Sequence, residues 1–140
     1  MIGYNIANIT IKNYMKFTAQ QQREFIKLTR KTGAEWVEVF QGNTDYYATY
    51  YWDLLREMWF VNKPMMVSEA LKSMQSVKSP FTARKHLQKA INGGLIIERK
   101  NPDDERSVLV EISPELRTKL DKHFDRVLEY FVELAESLKK

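Results

Sequence analysis

The hydrophobic positions in the first half of the chain follow a helical period in two segments, which the turn-forming triplet Gln41-Gly42-Asn43 separates. Thr18 followed by Gln21 is a capping-box pattern, so the first helix is predicted to start there, to run for about 14 residues and to end at Gly33. Thr44 is predicted to cap the second helix. The predicted buried stripe of that helix consists of Tyr47, Tyr51, Leu54, Leu55, Met58 and Val61.

Two shorter helical patterns follow, joined by a tight connection. The first is predicted over Val67 to Met74, after Asn62-Lys63-Pro64 has ended the preceding helix. The second has a clear start, because Ser79 is a capping residue and Pro80 is tolerated in a first helical turn. The pair Gly93-Gly94 is predicted to end it, which gives a helix over about residues 79–92.

Beyond Leu95 the hydrophobic period changes from 3.6 to 2, which indicates strands. Residues 96–100 and 107–112 are rich in β-branched side chains, and the polar residues 101–105 between them favour a turn. We therefore predict a β-hairpin with a projecting tip over about residues 96–112. Two helices with a tight connection and then a hairpin are the order of a winged helix-turn-helix.

A last amphipathic helix is predicted from Ser113-Pro114-Glu115, which combines a capping residue, a first-turn proline and a carboxylate that favours the helix dipole. Its large apolar side chains recur in alternating steps of four and three, which is the spacing of a heptad seam. The seam consists of Leu120, Phe124, Val127, Phe131, Leu134 and Leu138.

Length and composition restrict the classes of protein that this chain can represent. With 140 residues and 44% apolar residues, one compact domain is expected. No apolar run is long enough to span a bilayer and the start of the chain lacks a signal-peptide pattern, so a cytoplasmic protein is predicted. The absence of cysteine excludes disulfides, thiolate zinc sites and cysteine-based catalysis.

Catalysis is not expected, because the chain offers only His86 and His123 with scattered carboxylates. Asp121 and Asp125 share one helix face, while His123 points away from both, so the three cannot chelate one metal. We expect no cofactor and no metal site.

The positive charge is concentrated in the region of the predicted winged helix-turn-helix. Residues 76–106 carry seven basic and four acidic side chains, and the chain as a whole carries a net charge of +4. On a helical projection centred on Leu87, Thr82, Lys85 and Lys89 fall on the outward face. The side chains predicted to face DNA from this region are Ser79, Phe81, Thr82, Arg84, Lys85, Gln88 and Lys89.

The predicted hairpin tip adds a second basic feature. Arg106 follows Asp104 by two residues, and we expect this carboxylate to hold the arginine guanidinium in one direction. A fixed guanidinium suits the narrow, electronegative minor groove. Arg99 and Lys100 flank the tip and are added to the predicted DNA surface.

Residues 54–113 resemble the DNA-binding core of the MarR family of transcription regulators. The most specific similarity is the segment Asp104-Glu105-Arg106-Ser107, which matches the family's D-x-R wing pattern. Thr82 and Gly94 stand twelve residues apart, as in the family's recognition helix with its closing Gly-Leu-Ile. The resemblance implies a sequence-specific regulator that binds double-stranded DNA as an obligate homodimer on a pseudo-palindromic site.

The resemblance also implies the architecture. The fold class is mostly α with a small β-hairpin wing (α+β), that is, a winged helix-turn-helix with dimerisation helices at both chain ends. Residues 1–43 and 114–140 are assigned to dimerisation and residues 44–113 to the DNA-binding core. Members of the family often bind an anionic aromatic effector, and Tyr46, Tyr50 and Trp52 are candidates to line such a ligand cavity or a dimer contact.

Two other functions remain open from the sequence. A winged helix can serve as a protein-interaction module, although such domains usually lack basic residues on the outward face of the second helix. A plasmid-replication or architectural DNA-binding protein is a further alternative, which weak discrimination between DNA sites would indicate.

Overall fold

The computed structural model describes residues 15–139. The chain divides into two compact units, of which one comprises residues 35–125 and the other includes residues 15–34 and 126–139. The predicted N-terminal region 1–43 is thus described only from residue 15, and its first 14 residues lie outside the described part. The helices are α1 (Ala19–Val39), α2 (Thr49–Val61), α3 (Val67–Ser73), α4 (Pro80–Asn92) and α5 (Pro114–Leu138).

The first helix begins as predicted but ends later. The capping box is present, because the backbone N–H of Gln21 donates to Thr18 Oγ1 at 3.1 Å and the N–H of Thr18 donates to Gln21 Oε1 at 2.8 Å. The predicted end at Gly33 is wrong, since α1 continues to Val39. The chain reverses instead at Gln41 and Gly42, which have φ values of 54° and 78°.

The second helix begins later than predicted. Thr44 does not cap it; Asn43 caps a short 3₁₀ turn over Thr44–Tyr46, and α2 starts only at Thr49. This turn places Tyr46 in the core and leaves Tyr47 half-buried, which reverses the expectation for these two side chains. The end of α2 is as predicted, with Asn62 in the left-handed conformation at φ 56°.

The helix-turn-helix is formed by α3 and α4. Ser79 caps α4 as predicted, because its Oγ accepts the backbone N–H of Thr82 at 3.3 Å. The buried side of α4 consists of Ala83, Leu87 and Ala90, which confirms the helical projection.

A three-stranded antiparallel sheet combines one short strand before the helix-turn-helix with two strands after it. The predicted hairpin is confirmed as β2 (Ile96–Lys100) and β3 (Val108–Ile112), paired from Ile96 opposite Ile112 to Lys100 opposite Val108. The sequence did not predict a further strand, β1 (Met65–Met66), which pairs with the other edge of β3. Two residues are too few to show the alternation that identifies a strand.

The core of residues 35–125 is built from α2, α3, α4, the sheet and the start of α5. Tyr51, Leu54, Leu55, Ile96 and Val110 are almost completely buried. Leu120 is also fully buried in this core, and the Phe124 ring packs 5.0 Å from that of Trp59. The assignment of Leu120 to a dimer seam is therefore corrected, because its side chain is buried in the core of its own chain and is not available to a partner.

The later residues of the predicted seam, from Val127 onward, lie in the unit that includes residues 15–34 and 126–139. This unit contains the start of α1 and the C-terminal part of α5. Lys31 Nζ lies 5.3 Å from the centre of the Tyr130 ring in this helix pair. Val127, Leu134 and Leu138 are half-buried, whereas Phe131 is exposed. None of the helices in residues 15–139 has the length and apolar composition needed to cross a bilayer.

Candidate nucleic-acid interface

The residues that the sequence assigned to a DNA surface on α4 are all exposed in the structure. Ser79 and Pro80 bring the chain into α4, and the buried Ala83, Leu87 and Ala90 turn the opposite face outward. That outward set comprises Ser79, Phe81, Thr82, Arg84, Lys85, Gln88 and Lys89.

Two of these side chains are held together at the start of α4. The ammonium of Lys85 lies 4.6 Å from the centre of the Phe81 ring, although 68% of Phe81 is exposed to solvent. One turn later, the Gln88 amide donates to Asn92 Oδ1 at 2.9 Å. The outward face of α4 therefore combines a cation, an aromatic ring and amide groups, which can all contact base edges.

The cap of α4 supports one stability prediction. Replacing Ser79 with alanine removes the acceptor for the Thr82 N–H, so the free energy of unfolding is expected to fall by about 1 kcal/mol. Ser76 is exposed in the preceding turn, and its replacement with alanine is the matched control with an expected change near zero. Equal urea midpoints for both variants would contradict a capping role for Ser79.

The hairpin tip is a folded turn in which backbone groups are bonded to side chains. Asn101 Oδ1 accepts the N–H of Asp103 at 3.0 Å, and its amide donates to Ser107 Oγ at 3.0 Å. Asp104 Oδ1 accepts the backbone N–H of Arg106 at 3.0 Å. These two successive turns, in which an Asn or Asp side chain bonds the backbone two residues on, fix the shape of the tip.

This geometry corrects the role expected for Asp104. The Asp104 carboxylate accepts a hydrogen bond from the backbone N–H of Arg106 and not from its guanidinium. In such a turn the Asp side chain reaches the backbone N–H two residues later. Asp104 therefore fixes the backbone at Arg106 and, with it, the direction in which the Arg106 side chain starts. The Arg99 guanidinium is bonded to Glu111 across the hairpin, and Lys100 is exposed.

A group of contacts between α4 and the segment before α2 and its first turn was not found from the sequence. The Tyr51 hydroxyl donates to the backbone carbonyl of His86 at 2.9 Å, and the Tyr50 ring stacks on the His86 ring at 3.9 Å. Burial raises the pKa of the Tyr51 hydroxyl above its usual range, so this group remains a donor. Burial, with a further contribution from Lys89, lowers the pKa of His86, which favours its neutral form.

Of the three aromatic residues proposed for an effector site, Tyr46 and Tyr50 both contact the Tyr51 ring, and Trp52 contacts other rings. Tyr46 packs between the rings of Phe40 and Tyr51. Tyr50 stacks on His86 as described, and Trp52 packs edge-on against Trp36 at 4.9 Å. Tyr46 also lines a cavity of about 240 Å³, together with Gly93, Ser113, Glu115 and Lys119 among others.

Residues 15–139 contain no group of three or more His, Cys, Asp or Glu side chains placed to hold a metal ion. The exposed side chains of α4 and of the hairpin tip include several basic residues. An exposed helix and a hairpin with basic side chains are suited to contacting the grooves of a duplex.

Solved structures with a similar fold include transcription regulators. The structure matches the transcriptional regulator Tm0710 from Thermotoga maritima with a TM-score of 0.59 and 15% identity, over 88% of this chain and 83% of that chain. It also matches a mutant of MarR from E. coli complexed with operator DNA, with a TM-score of 0.48 and 17% identity, over 86% and 83% of the two chains. No family model matches the sequence, and no curated protein is significantly similar to it.

At these identities the match to Tm0710 establishes the fold. The winged helix-turn-helix expected from the sequence is confirmed.

Proposed function

We propose that this chain is a sequence-specific regulator of transcription that binds double-stranded DNA. The observation that carries the proposal is the pairing of an exposed, basic face of α4 with a hairpin tip whose backbone is fixed around Arg106. A winged helix that only contacts other proteins has no need for this combination.

In the proposed complex, α4 enters the major groove. Thr82, Lys85 and Gln88 then face base edges, where Lys can contact guanine and Gln can pair with adenine. Phe81 lies at the first turn of α4 and can contact a thymine methyl group. Contacts of this type distinguish base pairs, because each pair presents a different pattern in the major groove.

The wing is proposed to enter the adjacent minor groove. Arg106 projects from the tip, and its guanidinium is attracted by the negative potential of a narrow groove. Arg99 is bonded to Glu111, so it contributes less charge to this contact than Lys100 and Arg106. The wing thereby responds mainly to groove shape.

The protein is proposed to act as a homodimer through the helix pair. Leu128 and Val132 are 63% and 61% exposed, and with Phe131 they form one face of α5 at spacings of three and four residues. Phe25 and Ile26 expose further apolar area on α1. An apolar surface of this kind on a chain of this size indicates an interface.

Any small aromatic or anionic effector is proposed to bind in the cavity lined by Tyr46. Tyr46, Ser113 and Lys119 are among its lining residues, and hydroxyl and ammonium groups can bind an anion or a carbonyl group. Lys119 is paired with Glu115 at 3.6 Å, so an anion would compete with this carboxylate. Titration with benzoate, monitored by the thermal unfolding midpoint, tests this assignment. Lys119→Met should remove any benzoate-dependent stabilisation.

Selection of bound fragments from random duplex DNA tests the proposed function. An inverted repeat with half-sites about one helical turn apart is expected, because a two-fold dimer places two recognition helices on one side of the duplex. Binding without sequence preference would favour an architectural role. Absence of binding at low salt would contradict the proposal and favour a protein-interaction module.

The wing tip provides a test within this proposal. Asp104→Ala removes the acceptor for the Arg106 N–H, so DNA affinity is expected to fall, but less than in Arg106→Ala, because the guanidinium is still present. Asp104→Asn retains the Oδ1 acceptor and should bind more like the unsubstituted protein. If Asp104→Asn binds as weakly as Asp104→Ala, the negative charge and not the turn is what matters.

A further inference from the structure

The segment 45–51 contacts the recognition helix at three successive turns. Tyr50 and Tyr51 hold His86 by ring stacking and by a hydrogen bond to its carbonyl. One turn later, the Asp45 carboxylate lies 3.2 Å from Lys89 Nζ. We call residues 45–51 the tyrosine segment.

The third contact lies at Gly93, just beyond the end of α4. A Cβ atom built at Gly93 would overlap with the Tyr46 hydroxyl oxygen, so the ring and the backbone approach as closely as a glycine permits. Gly93 has an ordinary helical conformation, with φ −80° and ψ 0°. The need for glycine here therefore comes from Tyr46 and not from backbone strain.

The backbone of Asp45 is fixed by its surroundings. Its backbone N–H donates to Asn43 Oδ1 at 3.0 Å, and the next residue, Tyr46, is only 7% exposed and packs against Phe40. The backbone therefore keeps the Asp45 carboxylate within reach of Lys89, and about half of each of the two side chains is exposed, 53% for Asp45 and 50% for Lys89. If Lys89 left it for a phosphate, Asp45 would remain as an unpaired negative charge beside the DNA.

We propose that the tyrosine segment acts as a clamp, which means that its contacts hold the recognition helix α4 in position. Lys89 belongs to this clamp through its ion pair with Asp45 and does not bind DNA. Asp45, Tyr46 and Lys89 are then positioning residues, which act on DNA through the placement of α4. This inference rests on the proposed function for its DNA readout, and it revises the assignment of Lys89 to the DNA surface.

The glycine contact provides a test that needs no DNA. Gly93→Ala should speed amide hydrogen exchange in the second half of α4 by about tenfold, because the added Cβ displaces the Tyr46 ring. The double variant Gly93→Ala/Tyr46→Phe should restore most of the slow exchange, since the overlapping oxygen is gone and the ring Cζ, 3.2 Å from the added Cβ, needs to move by only a few tenths of an ångström. Tyr46→Phe alone should exchange as the unsubstituted protein does.

A matched glycine gives the control. Gly33 lies within α1 with no atom within 4 Å of a built Cβ, so Gly33→Ala should stabilise the protein slightly. Without the Tyr46 contact, the nearest atom to a Cβ at Gly93 would be the Lys89 carbonyl oxygen at 3.3 Å, and Gly93→Ala would change the exchange rate little. Slower or unchanged exchange in Gly93→Ala, or no recovery in the double variant, would overturn the clamp.

The ion pair is tested by DNA binding at several salt concentrations. Asp45→Asn and Lys89→Met should each weaken binding to the selected site by a similar factor, and the double variant should be no weaker than either. In all three, the slope of log affinity against log salt should stay unchanged, because the number of neutralised phosphates stays the same. Lys100→Met, which removes an exposed wing cation, is the comparison and should lower the slope.

The opposite result has a distinct signature. If Lys89 binds phosphate, Lys89→Met lowers the slope by about 0.9 for each phosphate that is no longer neutralised, and Asp45→Asn strengthens binding by removing a competing anion. That result would overturn the proposed role of Lys89. If the unsubstituted protein binds no DNA, the proposed function fails, while the hydrogen-exchange experiment still decides whether the clamp exists.

Discussion

Replacing Phe131 with glutamate is expected to convert a dimer into a monomer in sedimentation at micromolar concentration. Phe131 is 45% exposed and lies on the same face of α5 as the more exposed Leu128 and Val132. A carboxylate at the centre of this face would lose its hydration on dimerisation without gaining a partner. The cost of several kcal/mol is enough to dissociate a micromolar dimer.

The same substitution should abolish tight binding to an inverted repeat, because a monomer contacts only one half-site. Glu129→Gln changes an exposed polar residue of the same helix and is the control, with the dimer retained. Circular dichroism separates dissociation from unfolding. A Phe131→Glu variant that sediments as a dimer would show that the exposed face of α5 is not the interface.

Replacing Arg106 with alanine is expected to weaken binding to many sequences and to reduce its salt dependence. The fixed tip places Arg106 at the wing, where we expect its guanidinium to neutralise phosphate charge and to release counterions. If each subunit then neutralises one phosphate fewer, the slope of log affinity against log salt should fall by about 0.9 per subunit. Unchanged binding would mean that the wing does not contact DNA.

Lys85→Ala provides the contrast within the same surface. Its ammonium lies over Phe81 on the outward face of α4, so its removal should relax base preference at one position in each half-site. The cost on the preferred sequence is expected to be about 1 to 3 kcal/mol, with a smaller cost on a scrambled site. Equal costs on both sites would assign Lys85 to the DNA backbone.

The sequence by itself determined the features whose causes are local. Ser79 and Ser113 cap their helices through side chains that bond an N–H three residues ahead, and Thr18 with Gln21 does so reciprocally. The alternation of β-branched residues likewise predicted β2 and β3 with nearly correct bounds. These patterns depend only on residues that are close in the sequence, so the winged helix-turn-helix could be predicted without knowledge of the tertiary structure.

The predicted DNA surface on α4 also followed from local information, because helical periodicity alone separates its buried and exposed faces. What the period cannot show is which partner each exposed side chain contacts. Lys89 and Lys85 look alike in sequence, yet one is paired with Asp45, 44 residues earlier, and the other lies over Phe81 on its own helix.

Only the tertiary structure decided the features that depend on residues far apart in the chain. Strand β1 forms because the edge of β3 is available for pairing. Leu120 does not belong to the expected dimer seam, because it is buried in the core of its own chain. Tyr46 enters the core because a 3₁₀ turn rotates it inward and Gly93 makes room for its hydroxyl. Each outcome is set by packing against a distant segment, which local propensity and periodicity cannot encode.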